Sequence, residues 1–148
     1  MANITQSVFI AAPIEVVWKE AADLPSHVEW MADAESIEFL SDLRAGVGVR
    51  MKVETAVGPL HTSDLMEVIE WVEKRTIGVR HTGLVRGSGR FELAPVAGGT
   101  RFTWTERLTF PWYLGGALTA IFAKPVLGWI WRRNLRGLKA RIERSEQG

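Results

Sequence analysis

The stretch from Pro111 to Arg144 sets the terms for everything before it. Its second half is helical by pattern: Trp131, Leu135, Leu138 and Ile142 recur at i, i+4, i+7 and i+11, with Arg132, Arg136, Lys139 and Glu143 on another face. The first half is apolar nearly all round, carries Gly115 and Gly116, and is interrupted at Lys124-Pro125. Proline is costly inside a helix, so the sequence predicts a kink or a restart there, with Pro125 as the first residue of the second piece. Helical phase places Leu118, Ile121, Pro125 and Gly128 on the Trp131–Leu135 face. It also leaves an outward apolar strip of Phe122, Val126, Trp129 and Ile130, large enough to suit a homodimer interface or a covering loop. A long, bent helix needs something broad to lie on.

The residues before it supply a sheet. Residues 4–10 read as a strand, Pro13 opens a helix with Ile14, Val17, Trp18 and Ala21 on its core face, and a second short helix covers Ser26–Met31. Six further strands follow, beginning near Ile37, Val47, Leu60, Thr76, Val85 and Thr100. Turn signals separate them, Gly58-Pro59 and Gly98-Gly99 being the sharpest. In the last strand Phe102, Trp104, Glu106, Leu108 and Phe110 share one face, while Arg101, Thr103, Thr105, Arg107 and Thr109 share the other. Sequential strands with short turns make an antiparallel meander with one apolar face to cover, and only the terminal helix is long enough to cover it. The fold class is α+β: a curved antiparallel sheet of about seven strands around a long kinked C-terminal helix, with two short helices after the first strand, in one domain over residues 1–148.

Composition removes several functions. With 148 residues and 47% hydrophobic content the chain can bury a core. It has no cysteine, which excludes disulfides and thiolate chemistry and fits a cytoplasmic location. Net charge is +1; residues 101–148 hold nine of the 18 Lys/Arg but three of the 17 Asp/Glu, an excess that complements the C-terminal end of a helix. The rest of the chain is acidic, which argues against a nucleic-acid partner. Trp112–Trp131 has the length of a membrane span, but Lys124, Pro125 and the glycines oppose insertion, so no span is expected. Transient membrane contact remains compatible with an exposed tryptophan. The three histidines share no metal-ligand spacing, and neither a metal nor a cofactor is implied.

Glu106 is the most informative position. Pairing across the Gly98-Gly99 turn, with Thr100 opposite Pro95, puts Gly89 opposite Glu106 and Gly87 opposite Leu108. Glycines in a strand interior often mark space left for something. A carboxylate facing apolar vacancy has its pKa raised, which suits either a general acid/base or an anchor for a ligand hydroxyl. An ion-paired structural glutamate is the other reading. His81 shares the inward parity of Ile77 and Val79. The same scheme puts it near the row of Phe110, roughly 13 Å from Glu106 along the strand, too far for a dyad. His61 is expected to be exposed in a turn.

The segments Ile10–Trp18, Ala22-Asp23, Trp30, Gly98–Trp104 and the Leu135-x-x-Leu138-Lys139 end of the last helix resemble the START-like (SRPBCC) superfamily of helix-grip proteins, in its bacterial polyketide cyclase/dehydrase-like and lipid-transfer-like branch. The resemblance spans the chain. It implies a deep apolar cavity between sheet and helix for a lipid, polyketide, quinone or sterol-like ligand. His27 and Trp30, on the short helix that closes the mouth in relatives, would be gate or wall. Met51, Val79, His81, Gly87, Gly89, Phe91, Trp104 and Glu106 would line the cavity from the sheet, and Leu118, Ile121, Pro125 and Trp131 from the helix. Three functions fit: a binding or carrier protein, a cyclase or dehydratase using Glu106 as acid/base, and an interaction protein pairing through its last helix.

Overall fold

The computed structural model describes residues 2–57, 60–83, 86–109 and 116–147, with side chains over 3–56, 61–83, 86–109 and 124–146. Strand β1 (Ala2–Ile10) leads into α1 (Ile14–Ala22) and a 3-10 helix (Leu24–Glu29). Six strands follow: β2 (Ala34–Phe39), β3 (Arg50–Val57), β4 (Leu60–Val72), β5 (Thr76–Thr82), β6 (Arg86–Val96) and β7 (Gly99–Thr109). The chain closes with α2 (Gly116–Gln147). All strand pairs are antiparallel, in the order β1-β7-β6-β5-β4-β3-β2. The expected helix-grip architecture is therefore present. Register irregularities at Ala34/Ser36 in β2 and Val68/Glu70 in β4 add the local bend and twist that a curved sheet requires.

The inward residues are the ones alternation selects. Val49, Met51 and Val53, then Phe91 and Leu93, then Phe102, Trp104 and Leu108 are all buried. They form two apolar clusters. One joins α1, β1, β6, β7 and α2 through Phe102, Leu135, Leu138 and Ile142; the other joins the 3-10 helix to β2, β3 and β4 through Leu24, Val49, Met51 and Val68. Among the described residues helix α2 packs chiefly on β1 and β7.

Polar contacts fix α2 in place. Asn134, fully buried, accepts from the Ala32 backbone N–H at 2.9 Å and donates to Asp33 at 2.7 Å. Arg141 reaches Glu20 on α1 at 3.0 Å and Glu29 on the 3-10 helix at 2.6 Å. Glu143 accepts from the Ala11 N–H at 2.8 Å and from Lys139 at 2.6 Å. The basic residues near the end of α2 thus serve packing as well as its dipole.

Four expectations change. Helix α2 runs through Pro125 as one element, so no restart occurs there, and Pro125 is exposed instead of facing the sheet. Pro13 is the N-cap of α1 and not its first residue. Ile130 is buried, which reduces the outward strip among described residues to Val126 and Trp129, the latter 56% exposed. His61 is exposed as expected but stands inside β4, 3.2 Å from Glu35. The Gly58-Pro59 turn, Val85, Phe110 and Trp112 lie outside the described residues, as do the side chains of Leu118, Ile121 and Phe122. Among the described residues no helix is long and apolar enough to cross a membrane.

Candidate functional site

Between the two clusters lies a cavity of about 250 Å³. Its floor is the concave side of β3 to β7, and its rim comes from the 3-10 helix, β2 and the Leu127–Trp131 turn of α2. Ile37, Met51, Val53, Met66, Ile77, Val79, Phe91, Trp104, Leu108, Leu127 and Trp131 make most of the wall apolar. Phe91 packs edge to face on Trp104 with ring centroids 5.1 Å apart, and Trp104 meets Trp131 at a tilt of 34° with centroids 5.3 Å apart, a continuous aromatic wall.

One polar line crosses this wall. The observed β6–β7 register is the expected one, with Gly89 opposite Glu106 and Gly87 opposite Leu108. Strand β5 then places Val79 opposite Gly89 and His81 opposite Gly87. His81 therefore lies in the row of Leu108, not of Phe110, and reaches Glu106 diagonally across β6. The Nε2–Oε2 distance is 2.8 Å, so the dyad rejected on spacing does form. The other ring nitrogen, Nδ1, lies 2.8 Å from Asp64 Oδ2. Glu106 Oε1 accepts from Trp104 Nε1 at 3.0 Å.

Gly89 explains how the carboxylate gets there. A Cβ built on Gly89 would sit 2.6 Å from Glu106 Oε2, inside van der Waals contact, so only glycine lets the carboxylate lie across β6. The space the glycine leaves is filled by Glu106 itself. The expectation of an acid facing apolar vacancy is thus corrected: each of its oxygens already has a partner. Gly87 is absent from the wall; its φ of 144° and the Arg107 carbonyl beneath it account for the residue type.

Electrostatics follow from this geometry. Burial pulls the His81 pKa down, but hydrogen bonds and charges from Asp64 and Glu106 overcome it and raise it to about 10. His81 is an imidazolium at neutral pH, donating from both nitrogens. His27 is the opposite case. Burial lowers it to about 4, against a hydrogen bond to the Ala21 carbonyl and the charge of Asp23. It is neutral, Nε2–H donating to Ala21 O at 2.8 Å, and its ring packs at a tilt against Trp30 and Phe91.

Of the expected lining residues, His27, Met51, Val79, His81, Gly89, Phe91, Trp104, Glu106 and Trp131 reach the cavity. Trp30 is buried behind His27 and Phe91, its indole N–H without a partner, and Pro125 faces outward. Asp64 is the residue that sequence reasoning missed. It has the parity of Met66 and Val68, which an acid on a half-buried strand need not have, and that parity was the available signal. Among the described residues no group of three or more His, Cys, Asp or Glu is placed to hold a metal ion.

A family model described as polyketide cyclase/dehydrase and lipid transport matches residues 1–143. Solved structures share the fold. A Thermus thermophilus protein superposes with a TM-score of 0.80 at 23% identity, over 97% of this chain and 98% of that one. The Zhui aromatase/cyclase of a Streptomyces species gives 0.71 at 17% identity, over 96% and 93%. A START superfamily protein of Mycobacterium smegmatis gives 0.75 at 13% identity, over 97% and 99%. No curated protein sequence matches the chain.

Proposed function

We propose, given that the chain belongs to the polyketide cyclase/dehydrase and lipid transport family, that it binds one hydrophobic or amphipathic small molecule in the cavity beside α2 and holds or carries it without turnover. Lipids, polyketides, quinones and sterol-like molecules are the candidate classes. The observation that carries this reading is the cavity of about 250 Å³: largely apolar, walled by packed aromatics, with the Asp64–His81–Glu106 line to orient a ligand. The absence of cysteine supports placing this binding in the cytoplasm.

The polar line favours holding over chemistry. A general acid or base works best when its pKa lies near the working pH. His81, raised to about 10 and bonded on both sides, keeps its proton at neutral pH. Both Glu106 oxygens are engaged. The second reading, ring closure or dehydration of a polyketide-like ketone with Glu106 as acid/base, draws on one observation, the buried His–carboxylate contact on the cavity wall.

Native mass spectrometry after mild purification tests the first reading. The expected result is a one-to-one adduct that organic solvent removes. Only the mass of the bare chain, together with no uptake of 1-N-phenylnaphthylamine by fluorescence, would overturn it. Turnover of a polyketide ketone mimic that Glu106→Gln abolishes while ligand affinity is kept would select the second.

A further inference from the structure

The polar line carries more negative charge than positive. Asp64 and Glu106 are carboxylates, and His81 between them supplies one positive charge, so the three together keep one net negative charge. Asp33, also on the wall, adds another, and the group bonded to it is the neutral Asn134 amide. Arg90 touches the cavity, but its side chain is 48% exposed and its guanidinium bridges Glu70 at 2.6 Å and Glu92 at 3.5 Å on the outside of the sheet. Both N–H groups of His81 are already given to carboxylates. Among the described lining residues no cationic N–H is therefore left to receive an anion. Acceptors, by contrast, are in excess: Asp64 Oδ1 is buried with no hydrogen-bond partner.

We propose that the cavity selects hydrophobic ligands whose polar end is a hydrogen-bond donor, neutral or cationic, and excludes those that end in a carboxylate or another anion. This rests on the reading of the cavity as a binding site. An anion entering it would shed its water beside uncompensated negative charge in a medium where charges are weakly screened. A hydroxyl or ammonium group would instead meet acceptors.

Calorimetric titration of the full chain at pH 7 with three probes on one ring system tests this: 2-naphthol, 2-naphthylmethylamine and 2-naphthoate. The naphthol and the amine are expected to bind at least tenfold more tightly than the carboxylate. Asp64→Asn, nearly isosteric and one negative charge fewer, is expected to raise naphthoate affinity several-fold. Glu106→Gln repeats the test should the first variant not fold. Naphthoate binding as tightly as naphthol in the unaltered chain, or a gap unchanged in the folded variant, would overturn the selectivity while leaving the binding reading intact. Failure of all three probes to bind would overturn the binding reading and the selectivity with it.

Discussion

A single imidazole decides the ionic state of this site, because His81 has a carboxylate 2.8 Å from each nitrogen. Its pKa, ordinarily near 6.5 and here about 10, means the folded chain holds a proton that the unfolded chain releases between those values. That contribution to stability is complete below pH 6.5 and is lost as pH rises through 10. His27, lowered to about 4, acts in the other direction: the unfolded chain binds its proton first, so stability falls on acidification from 6.5 toward 4. Each limb has a slope of at most about 1.4 kcal/mol per pH unit. Melting temperatures across pH are expected to peak between the two limbs, near pH 6.5. In a proton NMR titration neither ring signal should move between pH 6 and 8; a midpoint inside that range for His81 would contradict the doubly paired geometry. Gly89→Ala provides the steric counterpart. Its methyl must displace the Glu106 carboxylate, so denaturant unfolding is expected to show a loss of about 1–3 kcal/mol. The Glu106–Gly89 pairing was legible from the Gly98-Gly99 turn alone, because a tight hairpin fixes register. The position of His81 was not, since it depends on the β5–β6 connection through residues 84–85, where an error of one row moves a side chain out of reach.

The strands show how far alternation carries, and α2 shows where helical phase falls short. Seven strands in the expected succession along the chain came from period-two patterning and turn residues, whereas the pairing of β1 with β7 at the far end of the meander had no local signal. On β4 the irregularity between Val68 and Glu70 flips parity only after Asp64, Met66 and Val68, so Asp64 keeps the inward parity of that first stretch and was passed over for its charge and not its position. On α2, Ile130 and Trp131 are consecutive yet both buried, since the helix meets two surfaces, the sheet and the 3-10 helix–β2 turn. That turn hangs on Asn134. Asn134→Ala orphans the Ala32 N–H and the Asp33 carboxylate, and equilibrium unfolding is expected to register a cost of about 1–3 kcal/mol. Pro125 offers the opposite sign. It is exposed, lies inside the helix and lacks the N–H that would bond four residues back. Pro125→Ala is expected to stabilise the chain by up to about 3 kcal/mol, and no change in midpoint would mean the surroundings have already relieved the strain.

For the molecule as a whole the question is why two apolar clusters stop short of each other. Helix α2 covers β1 and β7, the 3-10 helix covers β2 to β4, and the unfilled strip between them is the cavity. Leaving apolar side chains unpacked costs several kcal/mol for a space of this size, so a chain selected for stability alone would close it with larger residues. Val79 is the place to do so. It stands on β5 opposite Gly89, packs at the edge of the Leu24–Val68 cluster and lines the cavity, so a larger side chain there has the cavity to extend into. Val79→Phe is therefore expected to leave the denaturation midpoint unchanged or higher while weakening 2-naphthol binding more than tenfold. An ordinary core position would behave in the reverse manner, losing about 1–3 kcal/mol to overpacking with no effect on a ligand. Measuring both quantities on the same variant separates a space maintained for an occupant from a flaw in packing.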